Sequence, residues 1–362
     1  MGYSKKAIDF LCEHSCDSKI VYIGFYGGEP LLAFPLLQKC VQYAKQRLQG
    51  HTIRFTMTSN GTLLTEEIVA FCNDNEVGIL LSIDGSKEAH DKNRIFAHDN
   101  SGTFDTIMSK VRMVKEKFPT FMNMIQFNMV NDPTNDFDCS KNVFFDYEAI
   151  DKHNTYSTLI DSMLLDKQYM PSSDFFIKYE YDLFLGLLHE IGRIDNSDVS
   201  PLTYRYYQNV KSRTKRMFYH PFELSTEMAP GGPCFPGGIR AMIDINGKIF
   251  PCERCSESSP AMHIGSIDKG FDIPRVNDML NVGAIESDTC KNCWAILHCT
   301  CCAARIDDGT KLSAQIKLRN CASIQAQVEM DMLNMIIVYE SRHIESHINH
   351  DYSSVALRVG RC

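Results

Sequence analysis

The chain has 362 residues, with 37 basic against 45 acidic side chains and a net charge of −8. An apolar content of 44% with 23% charged residues is that of a globular protein, and it excludes wholesale disorder or a collagen-like chain. No apolar run approaches the roughly 18 residues of a membrane span, and no basic block offers nucleic acid an electrostatic footing.

Residues 1–6 enter a helical pattern where a signal peptide would stand, so a cytoplasmic location with neither membrane nor nucleic-acid partner is expected. The length suggests roughly two domains. Against this ordinary background the 15 cysteines stand out. In a chain without an export signal, clustered thiols point to metal or redox chemistry before disulfides.

Residues 5–15 predict a helix and 20–26 a strand, followed by a helix at 34–48 and a strand at 53–58. The alternation continues with a helix at 65–75, a strand at 78–83, a helix at 104–117 and a strand at 124–130. A helix near 136–150 and a strand near 155–160 extend it. Strands alternating with helices of about 10–15 residues indicate βαβ units on a parallel sheet. Two helices rich in Tyr, Phe and Leu are predicted at 174–191 and 203–217, joined by the polar loop 195–200. The stretch 229–238, APGGPCFPGG, marks a boundary by its Gly and Pro content. A cysteine-rich part follows, then an apolar helix near 322–339.

Three successive strands run into polar, glycine-containing loops: Gly27-Gly28-Glu29-Pro30, Ser59-Asn60-Gly61-Thr62 and Ser82-Ile83-Asp84-Gly85. In parallel α/β folds the carboxyl ends of the strands form the ligand face. Two glycines let the backbone turn sharply and approach a ligand, and Glu29 offers an acceptor to a ligand amino group. Read singly, each loop is also an ordinary βα turn. None carries a dinucleotide or nucleoside-triphosphate fingerprint.

Nine cysteines fall between Cys234 and Cys321. Cys234 and Cys252 flank Gly247; Cys290 and Cys293 form a CX2C, Cys299 follows after five residues, and Cys301, Cys302 and Cys321 close the array. A CX2C brings two thiolates to one metal centre from a single turn, and distant cysteines complete it. Thiolates suit iron–sulfur clusters or zinc, and there are enough here for two four-cysteine sites. His298 and Trp294 read as packing residues rather than ligand and stacker, and Met330, Met332 and Met335 as packing or a partner face.

Together, GGEP after a strand, SNGT and SIDG at later strand ends, and this cysteine array resemble radical S-adenosylmethionine (radical SAM) enzymes with a C-terminal SPASM domain. The pattern matches through Cys234, Gly247, Cys252, Cys290, Cys293, Cys299 and Cys321, and departs once, where Cys302 follows Cys299 after two residues instead of three. The stretch Cys290 to Ala304 looks most like maturases that form thioether crosslinks in cysteine-rich ribosomal peptides, and more distantly like anaerobic sulfatase-maturing enzymes. The resemblance implies an α/β fold: a partial (β/α)6 barrel lacking its first strand, plus a SPASM domain with little regular structure. The expected division is a partial barrel at 1–160, a helical bridge at 161–229, the SPASM domain at 230–325, and a terminal helix and tail at 326–362.

It also implies cofactors and their ligands. Gly27, Gly28 and Glu29 would cradle the methionyl amine of S-adenosylmethionine (SAM), while Asn60, Ser82 and Arg94 would contact its ribose or carboxylate. Cys290, Cys293, Cys299 and Cys321 would hold one auxiliary 4Fe-4S cluster. Cys234, Cys252 and Cys302 would hold another, with Cys255 a candidate fourth ligand and Cys301 a rival to Cys302. The implied partner is a ribosomal Cys-rich precursor peptide, modified after hydrogen abstraction by a deoxyadenosyl radical.

The cluster that reduces SAM in this family is held by a CX3CX2C loop, and these 362 residues contain none. Cys12 and Cys16 form a CX3C, but Lys19 stands where the third cysteine would fall, and the pair reads as two positions on one helix face. The expectation is an N-terminally truncated maturase unable to cleave SAM, with a third 4Fe-4S cluster only in a longer form. Two alternatives stand beside it: a natural truncated SPASM protein that binds peptide or clusters without catalysis, and a zinc-binding scaffold.

Overall fold

The computed structural model describes residues 2–147, 150, 154–160, 170–195, 199–219 and 230–356. Residues 148–149 of the predicted helix near 136–150, the centre of the loop 195–200, Ala229 of the Gly/Pro stretch, Cys362, and parts of the expected bridge and tail lie outside them.

The chain opens with α1 (Gly2–Glu13), β1 (Ile20–Phe25), α2 (Phe34–Arg47), β2 (Thr52–Ser59), α3 (Glu66–Asn75) and β3 (Val77–Ser82). It continues with α4 (Lys87–Asp91), α5 (Phe104–Lys117), β4 (Ile125–Asn131), α6 (Phe137–Asp146) and β5 (Thr155–Leu159). The five strands are parallel and lie in sequence order, so each pair is joined by a helical crossover and the sheet forms an open, partial barrel. Period-two alternation decides its faces. Val21, Phe55, Met57, Ile79, Leu81, Phe127 and Met129 are buried with the helices in one core. The other face is polar and open: register sets Gly24 beside Thr56 and Gly78, and Ser82 beside Asn128 and Tyr156.

Beyond the sheet come α7 (Ser173–Glu190) and α8 (Pro201–Tyr219). The Arg205 guanidinium of α8 lies 3.8 Å from the ring centroid of Tyr156 on the sheet's open face. The cysteine-rich part holds a four-stranded antiparallel sheet of very short strands, β6 (Met242–Ile243), β7 (Lys248–Phe250), β8 (Gly265–Ser266) and β9 (Gly270–Phe271). Helices α9 (Ile273–Leu280), α10 (Ser287–Lys291) and α11 (Ala314–Ala356) complete the chain. No helix among the described residues is long and apolar enough to cross a membrane.

Helix α1 ties the two parts together. Phe10 is buried in the core of the cysteine-rich part, edge-on to Phe271, while Ile8 is buried in the barrel core. Lys6 reaches Asp268 at 2.7 Å. The helix ends at Glu13, so Cys16 falls in the following turn, exposed, and does not share a helix face with Cys12 as the i, i+4 spacing suggested. Trp294 also departs from expectation: it is 55% exposed rather than core.

Candidate functional site

At the carboxyl ends of β1 and β2 the two glycine loops are joined by one side chain. Glu29 caps a short 3-10 turn, where its Oε1 accepts the Leu31 amide at 3.0 Å. The same oxygen accepts the Ser59 hydroxyl at 2.9 Å, and Oε2 accepts the Asn60 amide at 2.7 Å. Ser59 is buried, and its Oγ in turn accepts the Gly61 amide at 2.9 Å. Asn60 Oδ1 closes an Asx turn onto the amide and hydroxyl of Thr62. The Glu29 carboxylate thus works first as the clasp between GGEP and SNGT.

Room for a ligand lies beside this clasp. A Cβ placed on Gly27 or Gly28 would meet nothing within 4 Å, and Gly27 has a φ of +147°. Ser59 pairs with Leu81 across the sheet, which carries Asn60 and Ser82 to adjacent places at the edge. The Ser82 side chain is nearly buried and makes no hydrogen bond among the described residues. An unpaired hydroxyl at the end of β3, next to the SNGT loop, is the donor a bound polar ligand would use.

The third loop is built around a buried imidazole. The Asp84 amide donates to His90 Nδ1 at 3.1 Å, which places the ring proton on Nε2, facing Thr103 Oγ1 at 2.9 Å. Thr103 then donates to the Arg94 carbonyl at 3.1 Å. Arg94 grips Asp84 through Nε and Nη2, at 2.5 and 3.3 Å, while Asp84 Oδ1 also accepts the Val130 amide at 3.0 Å. Arg94 therefore stands at the predicted edge with two of its donors already committed to Asp84.

Burial pushes His90 down to about 4 from its ordinary value, against the opposing pull of Asp84. A folded value below the unfolded one means stability is full above about pH 6.5 and is lost as pH falls toward 4. We expect about 2 kcal/mol to go by pH 5 from this group. Urea unfolding at pH 7 and pH 5 should show that loss in the native chain and a smaller one in His90→Phe; equal losses would refute it.

In the cysteine-rich part, Cys293 lies against α11, where Gln325 Nε2 is 3.4 Å from its Sγ, one turn from Cys321. Cys321, on α11, feels the charges of Cys290, Cys299 and Cys293 around it, and burial raises its thiol. Cys299 is held down to about 6 by a hydrogen bond from Cys301, whose own thiol is pushed up by that bond and by burial. Cys301 is buried and committed to Cys299, while Cys302 beside it is half-exposed. Cys252 and Cys255 form a second pair: the Cys255 thiol donates to the Cys252 carbonyl at 2.9 Å, and the neighbouring Cys255 holds the Cys252 thiol below its ordinary value. Cys234 is exposed and not drawn into either group. Its segment is nonetheless fixed near them. The Gly231 amide donates to the Ile296 carbonyl, and a Cβ on Gly231 or Gly232 would strike the backbone of Leu297 or of Cys299 and Cys301. Among the described residues no three side chains close on a single metal ion. The side chains that neighbour Cys321 electrostatically are, Lys317 apart, thiols, a donor set that suits iron–sulfur clusters or zinc.

Ser59 and His90 carry this architecture without having been singled out from sequence. The only signals were their places within SNGT and one residue-class step beyond SIDG.

The Radical SAM superfamily profile matches residues 11–136. The cysteine-type anaerobic sulfatase-maturating enzyme of Clostridium novyi is 22% identical over 237 residues, covering 63% of this chain and 58% of that one. The radical SAM cyclopropyl synthase TigE of Paramaledivibacter caminithermalis is 22% identical over 309 residues, covering 83% of this chain and 57% of its own. The chain thus spans less than two thirds of the length of these relatives. The solved structure of native anSMEcpe with bound AdoMet and Cp18Cys peptide shares the fold, with a TM-score of 0.65 at 16% identity over 92% of this chain and 90% of that one. With its parallel sheet, glycine-loop edge and matching profile, the chain carries a radical SAM domain over residues 11–136.

Proposed function

We propose that the chain carries the SAM-binding and auxiliary-cluster parts of a cytoplasmic peptide maturase of the radical SAM/SPASM kind, a class whose substrate here is a ribosomal Cys-rich precursor peptide crosslinked by a thioether, and that these residues alone do not cleave SAM. The observation that carries this reading is the approach of Cys293 to α11 one turn from Cys321, on a chain whose residues 11–136 match the Radical SAM profile. Similarity to maturases of protein and peptide substrates supports the substrate class.

In this reading Gly27 and Gly28 leave space for the methionyl end of SAM, Glu29 keeps the two loops in register and faces the amine, and Asn60 and Ser82 meet the ribose or carboxylate. Arg94, tied to Asp84, has the weaker claim on the carboxylate. Cys290, Cys293, Cys299 and Cys321 hold one auxiliary 4Fe-4S cluster. Cys234, Cys252 and Cys302 hold a second, whose fourth position is filled by Cys255 or left open to a substrate thiolate. When bound, SAM and a reducing cluster supply the radical for hydrogen abstraction, and the auxiliary clusters accept an electron or ligate a substrate thiolate. The protein's own part is to orient: the polar open face of the sheet, with Asn128, Tyr156 and Thr158, receives the peptide.

Anaerobic reconstitution tests this. The 362-residue polypeptide is expected to take up about eight irons with matching sulfide, from two clusters of four. Cys290→Ser and Cys321→Ser should each lose about half of that iron. Zinc without sulfide would favour the scaffold reading instead, and unchanged iron in both variants would sink the ligand assignment. The same polypeptide is expected to bind SAM without releasing 5′-deoxyadenosine, because its residues include no CX3CX2C.

A further inference from the structure

The buried face of α11 repeats at helical spacing through positions 317, 324, 328, 335 and 338. Four of these are Ile324, Val328, Met335 and Val338; the first is Lys317, only 3% exposed. Lysine at a core position of an amphipathic helix is an exception that needs a reason, because an unpaired buried ammonium is strongly disfavoured. Lys317 pairs with no carboxylate among the described residues. Its Nζ makes one long hydrogen bond, 3.4 Å to the Gly283 carbonyl. One turn on, the Cys321 thiol donates to the Lys317 carbonyl at 3.4 Å, which ties this turn of the helix to the cysteine array.

A second donor comes from the same helix. Gln325 Nε2 lies 3.4 Å from Cys293 Sγ, pointing an amide N–H at the sulfur. One turn from Cys321 on either side, α11 therefore carries a buried cation and a sulfur-directed donor.

Resting on the cluster assignment proposed above, we infer that Lys317 and Gln325 set the reduction potential of the cluster held by Cys290, Cys293, Cys299 and Cys321, raising it. Four thiolates make such a centre anionic, and the reduced form carries one more negative charge than the oxidised form. A fixed positive charge and a hydrogen bond to a ligating sulfur both favour the reduced form, and burial strengthens each effect. The anionic centre is at the same time the counter-charge that makes a buried Lys317 tolerable.

The test is a redox titration of the anaerobically reconstituted full chain, followed by EPR, with iron and sulfide counted per chain. Lys317→Met and Gln325→Leu should keep the native iron content and shift to more negative potential the one transition that Cys321→Ser abolishes, leaving the other in place. Lys317→Arg, which keeps the charge, should stay near the native midpoint. An unmoved midpoint in both neutral variants at full iron content overturns the inference and leaves the functional reading standing. Loss of iron in Lys317→Met with an unmoved midpoint in Gln325→Leu overturns it too, since Lys317 would then be structural. A native chain that binds no iron overturns both.

Discussion

Glu29→Ala should weaken SAM binding by at least about tenfold, equivalent to about 1.4 kcal/mol, and lower stability by about 2–3 kcal/mol. Three donors close on this carboxylate: the Leu31 and Asn60 amides and the buried Ser59 hydroxyl. Alanine leaves all three without their acceptor, and Ser59 has no water to turn to. The GGEP and SNGT loops then lose their common register, and with it the fixed placement of Asn60 beside Ser82. Glu29→Gln is a sharper probe. Its carbonyl can keep Leu31 and Ser59, but its amide then faces the Asn60 N–H, donor against donor. An intermediate loss is expected, so the order is native, Gln, Ala. Calorimetric titration with SAM beside urea unfolding separates the two effects; SAM affinity within twofold of native in Glu29→Ala would refute the clasp.

This clasp also shows what could be read from the sequence. The five strands were legible within a residue or two because one face of each is buried, and half-burial writes a period of two into the chain. The glycine loops were legible for a related reason: turns with space for a ligand need residues without bulk. Contacts between loops leave no such trace. Nothing in SNGT says that Ser59 turns inward to Glu29, thirty positions away, and nothing in HDKNR says that His90 is buried against Thr103.

The cysteine-rich part was legible only as spacing. Strands β6 to β9 have two or three residues each, too short for any periodicity, and exist because antiparallel register holds them. Helix α4 is five residues long and has no apolar stripe to announce it. Helix α11 begins at Ala314, ahead of the predicted 322, because its first buried position is Lys317 rather than an apolar residue. A polar residue on a buried stripe hides the helix and marks the site.

The largest stability effect is expected at Asp182, on α7. It is 1% exposed, with Lys141 Nζ of α6 at 2.9 Å from Oδ1 and the buried Thr203 hydroxyl of α8 donating to Oδ2 at 2.8 Å. One turn on, Gly186 lets Tyr207 of α8 pack against the α7 backbone, and Tyr207 donates to the Leu183 carbonyl at 2.9 Å. Asp182 thus fastens three helices where α7 and α8 are closest. Removing one partner of a buried pair costs about 3–5 kcal/mol; because Lys141 keeps some access to water, we expect about 2–4 kcal/mol for Asp182→Ala. Lys141→Met should cost about as much, leaving the carboxylate buried with only Thr203. The double variant Asp182→Leu with Lys141→Met should recover much of the loss, since two matched apolar side chains leave no uncompensated charge. Urea unfolding of the native chain, Asp182→Leu, Lys141→Met and their double variant forms a double-mutant cycle, and strict additivity would refute the coupling. The consequence reaches the sheet, because α8 is also the helix that sets Arg205 over Tyr156. A chain loosened at Asp182 should bind the proposed peptide substrate less well while its SAM affinity, set at the ends of β1 and β2 by Glu29, stays near native.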